Sequence, residues 1–117
     1  MIFLYTILIM LAAHYVADFA MQNDYVAQAK AKVWTAPDGI HALVAHSMHH
    51  GVAVALGLLI LGVDPIWIVW AAVITAVSHG IIDYGKAVEH WFGYHADQIM
   101  HLTMAVMIGT AIGTLYV

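Results

Sequence analysis

Four stretches of this chain, about 1–22, 40–62, 65–85 and 96–117, are each apolar over the ~20 residues that a helix needs to cross a bilayer. Inside lipid, only helices and closed barrels satisfy every backbone N–H and C=O, and continuous apolar runs of this length read as helices. The expected fold is therefore all-α: a four-helix transmembrane bundle, with residues 1–117 as a single domain. The charge content agrees. Only 9% of the residues are charged, against about 25% in an ordinary soluble domain, too few to clothe a water-facing surface. The chain has no cysteine, which excludes disulfides and thiolate metal sites. Its three basic residues make no patch for nucleic acid.

The first run has no basic segment ahead of it and carries His14 and Asp18, so it reads as a retained span rather than a secretory signal. The second and third runs are joined by Gly62-Val63-Asp64-Pro65, a tight turn with Pro65 suited to a first helical position. The connection at about 23–39 is longer and is broken by Ala36-Pro37-Asp38-Gly39; the one at about 86–95 is short. Lys30, Lys32 and Lys86 fall in these two connections, which four spans place on one side. The positive-inside rule makes that side cytoplasmic, with both termini on the non-cytoplasmic side of the inner membrane. Trp34, Trp91 and Tyr94 are expected at the cytoplasmic boundary, and Tyr5, Trp67 and Tyr116 at the other.

Nine histidines in so apolar a chain are the anomaly. An Asp in the middle of a span costs roughly 2.5–3.5 kcal/mol on the insertion scale, so intramembrane ionisable groups call for a reason. Each span carries one i,i+4 pair: His14/Asp18, His46/His50, His79/Asp83 and Asp97/His101. Residues four apart share a helix face, and facing pairs in a bundle can converge. The pairs also agree in depth. They end the first and third spans and open the second and fourth, so all eight lie in the cytoplasmic half. A faint echo links the halves, since the first and third spans end in His-x-x-x-Asp.

Five imidazoles and three carboxylates suit one or two divalent transition metals, with zinc first and manganese or iron also compatible. Two dications would bring +4 against the −3 of the aspartates. Ions about 3.5–4 Å apart would activate water and clamp a phosphoryl oxygen. Gln22, four after Asp18, is expected to hydrogen-bond a ligand, and Lys86 to hold a substrate anion or balance a carboxylate. His49 ranks below its neighbours as a ligand, His41 reads as interfacial, and His90 and His95 as solvated loop residues. Gly109-x-x-x-Gly113 would let helices approach closely. A purely structural His–Asp network between helices is the plain alternative.

The favoured function is a metal-dependent hydrolase of a lipid or phosphoester substrate, embedded in the bilayer, with a homo-oligomer left open. The first rival is an ion or proton transporter using the His/Asp cluster. Against it, only Thr6, Thr75, Thr103, Thr110 and Thr114 offer polarity elsewhere. The second rival is a non-catalytic membrane protein that binds a partner.

His-x-x-x-Asp-Phe-x-x-Gln at 14–22, His-x-x-x-His at 46–50, His-x-x-x-Asp-x-x-Lys at 79–86 and Asp-Gln-x-x-His at 97–101 together resemble the small polytopic membrane family known as domain of unknown function 3307. That family occurs in bacteria and their phages. The resemblance covers nearly the whole chain and implies a membrane location without an established activity. Ser-His-x-x-x-Asp at 78–83, with histidines upstream at 46–50, is more distantly similar to the YdjM-like membrane-bound metal-dependent hydrolases. The chain departs from those proteins in lacking an arginine after the first histidine of that cluster.

Overall fold

Each apolar run forms a helix, and the breaks between them have local causes. The computed structural model describes residues 1–115; Tyr116, expected at the non-cytoplasmic boundary, lies outside the described residues. Helix α1 (Ile2–Tyr15) continues into a π-helical turn, Val16–Ala20. A short α2 (Asp24–Ala29) runs into a 3-10 turn, Lys30–Lys32, and is followed by α3 (Gly39–Ile60), α4 (Pro65–Ala87) and α5 (Tyr94–Leu115). Four helical stretches, Ile2–Ala20, Gly39–Ile60, Pro65–Ala87 and Tyr94–Leu115, are long and apolar enough to span a membrane. They match the four runs to within a few residues. No strand occurs among the described residues.

The α3–α4 turn shows how sequence sets a boundary. Gly62 adopts φ +72°, which a residue without Cβ reaches at no steric cost. Its N–H donates to the Leu59 carbonyl at 3.0 Å and the Val63 N–H to the Leu58 carbonyl at 3.1 Å, the paired bonds of a Schellman motif. Two residues on, the Asp64 carboxylate accepts from the Ile66 N–H at 3.0 Å, and Pro65 opens α4 where no N–H is needed. Helix α2 is an addition that hydrophobic spacing did not announce. Asn23 caps it, accepting from the Val26 N–H at 2.9 Å. In the same connection the Tyr25 hydroxyl donates to Asp38, which holds the Asp38 carboxyl below its usual range.

The spans form a ring. Helix α1 packs on α5 and α3, and α4 packs on α3 and α5, so α1 faces α4 across one diagonal and α3 faces α5 across the other. Their lengths fit a bundle 46 Å long and 24 by 21 Å across. Backbones approach closely along the α1–α5 seam. A Cβ at Gly109 would lie 2.8 Å from Ile7 Cα, and one at Gly113 2.7 Å from Phe3 Cα, so this small-xxx-small pair does bring two backbones together. Thr6, fully buried there, donates from its hydroxyl across the seam to the Gly109 carbonyl at 2.8 Å.

Met10, Val54, Leu58, Val63, Ile68, Ala71, Ala105, Ile108 and Ile112 fill the bundle toward the α3–α4 turn. The outer surface is apolar too, with Leu4, Leu8, Val44, Leu56, Ile66, Val73, Val77, Ile81, Ile99 and Met107 exposed. A soluble monomer rarely shows so continuous an apolar exterior, whereas acyl chains are its natural solvent. The chain is thus a multi-pass membrane-helix bundle, and its polar interior lies at the end that carries the 23–39 and 86–95 connections.

Candidate metal centre

All eight i,i+4 residues meet at that end. Seven of them, His14, His46, His50, His79, Asp83, Asp97 and His101, are buried, and Asp18 is nearly so. The π-turn that carries Asp18 widens the last turn of the first span; such bulges recur at functional sites. Here it still leaves Asp18 Oδ2 3.8 Å from His14 Nε2.

Three overlapping groups of candidate ligands result. In each, one donor atom per residue lies within 4.8 Å of the others: Asp18, His46, His50 and His79; His14, His79 and His101; and Asp83, Asp97 and His101. Asp18 Oδ1 faces the Nε2 atoms of His46 at 3.3 Å, His50 at 3.5 Å and His79 at 4.0 Å. Asp83 Oδ1 faces His101 Nε2 at 3.2 Å and His79 Nε2 at 3.5 Å, while its Oδ2 lies 3.4 Å from His46 Nε2. His101 Nε2 is 3.3 Å from Asp97 Oδ1. All five imidazoles therefore turn the same ring atom, Nε2, toward the carboxylates.

His46 Nε2 and His79 Nε2 lie at hydrogen-bond distance, 3.1 Å apart. One feature separates this cluster from an ordinary buried network. His50 Nε2 and Asp97 Oδ1 are buried and take no hydrogen bond. Buried polar atoms are normally satisfied, and an orphan calls for an explanation such as an ion. These groups can bind a metal.

Lys86 pairs with one of the carboxylates. Its Nζ lies 3.0 Å from Asp97 Oδ2 and 5.3 Å from the Tyr94 ring centre. Gln22 makes no contact with a ligand; its Oε1 is buried without a hydrogen bond. The helix stops at Ala20, so the four-residue stripe does not extend to position 22. His49 joins none of the ligand groups, and His41, His90 and His95 are exposed.

Two site residues escape the i,i+4 reading. Gln98 sits between α1 and α5, its Oε1 accepting from His14 Nε2 at 3.2 Å and its amide donating to Asp18 Oδ2 and Asp97 Oδ2, both at 3.1 Å. It lies three residues before His101, a spacing that shares a helix face and marks it in retrospect. Lys30 is buried, and its Nζ reaches Asp83 Oδ2 at 2.5 Å. Spacing carries no signal for it, because the 3-10 turn that aims it inward lies outside the spans.

A small cavity of about 20 Å³ adjoins the imidazoles on the side away from the connections. His14, His50, His79, His101, Thr75 and Ser78 line it together with Met10, Val54 and Ile108. Such a volume holds one water molecule, and Thr75 Oγ1 is buried there without a hydrogen bond.

The motifs that build this site run the length of the chain, and the family model for proteins of unknown function DUF3307 matches residues 6–116. The chain belongs to DUF3307. No curated protein and no solved structure matches it, so the likeness to YdjM-like hydrolases has no counterpart in these comparisons. For this member of DUF3307 the chemistry rests on the site itself.

Proposed function

We propose that this DUF3307 protein is a metal-dependent hydrolase of the inner membrane, acting on a lipid or phosphoester substrate from a His/Asp centre near the cytoplasmic face. The observation that carries the reading is the convergence of five Nε2 atoms and three carboxylates from four helices, with buried donors left unsatisfied. A metal offsets the cost of burying aspartates in lipid and lowers the pKa of a bound water toward neutrality. His14, Asp18, His46, His50, His79, Asp83, Asp97 and His101 are the candidate ligands, zinc is the first candidate ion, and the cavity beside Thr75 has room for the water. Lys86, half-buried at the rim, is positioned to meet a substrate anion. Its place in the last turn of α4, at the bundle end that also carries Lys30 and Lys32, assigns that rim to the cytoplasmic side, with both termini outside.

The transporter reading is weaker because, among the described residues, apolar side chains fill most of the bundle beyond the cluster. Met10, Val54, Leu58, Ile108 and Ile112 fill it. Thr6 there is bonded to backbone carbonyls, and Thr103 and Thr114 are turned outward to their own helix backbone.

The test is elemental analysis of detergent-purified protein prepared without chelators. It should carry a transition metal, and His46→Ala with His79→Ala should lose it. A metal-free preparation that rebinds neither zinc, manganese nor iron overturns the proposal. Metal-dependent release of phosphate or an alcohol from phospholipid vesicles, abolished in the same variant, tests the hydrolytic part.

A further inference from the structure

We infer that the centre takes one dication, held by Asp18, His46, His50 and His79, and that the ammonium groups of Lys30 and Lys86 stand where a second ion would otherwise sit. This inference rests on the metal-centre reading and settles its stoichiometry.

The donor spacing favours the Asp18 pocket. In a tetrahedral site with metal–ligand bonds of about 2.0–2.1 Å, ligand atoms lie about 3.3 Å from one another. Four of its separations approach this: 3.1 Å for His46–His79, 3.3 Å for Asp18–His46, 3.5 Å for Asp18–His50 and 4.0 Å for Asp18–His79. His50 Nε2 is free of any hydrogen bond and so keeps its lone pair available.

Within the Asp18 set the His46–His79 hydrogen bond joins two candidate ligands, whereas the other groups are committed to residues outside it. His14 Nε2 gives its proton to Gln98 Oε1 at 3.2 Å, which leaves no lone pair on that atom. His101 Nε2 hydrogen-bonds Asp83 Oδ1 at 3.2 Å and faces a second carboxylate, so its proton points at the oxygens a metal would need. Asp83 Oδ2 holds Lys30, and Asp97 Oδ2 holds both Lys86 and the Gln98 amide, while Asp97 Oδ1, without a hydrogen bond of its own, faces His101 Nε2 at 3.3 Å. The Lys30 pair is buried, well away from solvent screening.

Charge leads to the same count. Three carboxylates and two ammoniums sum to −1. One dication brings the cluster to +1, and a metal-bound hydroxide would close it to neutrality. Two dications would bring it to +3, with like charges crowded into a low-dielectric interior that penalises them steeply.

The test is zinc content per chain of the full-length protein in detergent, after equilibration with zinc and removal of the excess. Wild type should hold one zinc, and K30Q/K86Q, which frees Asp83 and Asp97, should hold two. Two zinc ions in wild type, or one in a folded K30Q/K86Q, overturns the inference. No zinc in wild type overturns the metal centre itself, a distinct result. Should K30Q/K86Q fail to fold, the carboxamide variants decide. D97N should keep its zinc while D18N loses it, and the reverse pattern overturns the inference.

Discussion

His50→Leu separates a metal ligand from a structural histidine because the two roles predict opposite signs. His50 Nε2 is buried and makes no hydrogen bond, and an unsatisfied buried polar atom costs about 1–3 kcal/mol. Leucine removes that cost at similar volume. It also removes the stacking of the His50 ring on His79, whose centroids are 3.4 Å apart, worth about 0.5–1.5 kcal/mol for an aromatic pair. The metal-free variant should therefore fall between about 0.5 kcal/mol below wild type and about 2.5 kcal/mol above it. With zinc the order inverts. A structural zinc contributes about 10–16 kcal/mol through four ligands, so one ligand is worth about 2.5–4 kcal/mol, a loss of roughly 100–1,000-fold in affinity. Zinc should raise the thermal midpoint of wild type in detergent by linkage and leave that of His50→Leu nearly unmoved at the same free concentration. Unfolding curves with buffered zinc and with chelator provide the comparison. A metal-free His50→Leu that is more than 2 kcal/mol less stable while keeping the full zinc response would refute the reasoning.

Other substitutions probe the surroundings of the site. Lys30→Met strands the buried Asp83 carboxylate and should cost about 3–5 kcal/mol in denaturant titration. Gly109→Leu drives a side chain into Ile7 Cα, 2.8 Å from the first added carbon. It should cost about 1–3 kcal/mol from overpacking, whereas Gly93→Ala, whose new Cβ meets nothing within 4 Å, should stay within about 0.5 kcal/mol. Ala31→Cys is exposed beside Lys32 in a chain with no other cysteine. A membrane-impermeant maleimide should label it only after the cell is opened, and labelling in intact cells would invert the topology.

The four helices were legible because lipid imposes a minimum apolar length that few other folds meet. The convergence of the His/Asp pairs was legible for a related reason. Four-residue spacing survives in any helix, and antiparallel neighbours convert position along the chain into depth. The echo between halves also has a spatial counterpart, since the two His-x-x-x-Asp helices, α1 and α4, occupy one diagonal. Position 22 was misplaced because a π-turn ends the first span early, and nothing in VADFA distinguishes a π-turn from an α-turn. Lys30 stayed hidden for a different reason. A lysine near a membrane surface normally anchors topology, and only the fold-back of α2 and its 3-10 turn onto α3 and α4 sends this one inside.

The division of ligands among helices has a bearing on how the protein is made. Every candidate ligand pair depends on partners carried by other helices, so a chain emerging into the bilayer presents bare acids and imidazoles to lipid until α5 arrives. Helix α5 delivers Gln98, the residue that ties His14 and Asp18 to Asp97. A nascent chain halted before residue 94 would thus leave these acids and imidazoles without the partners that α5 carries, Gln98 among them.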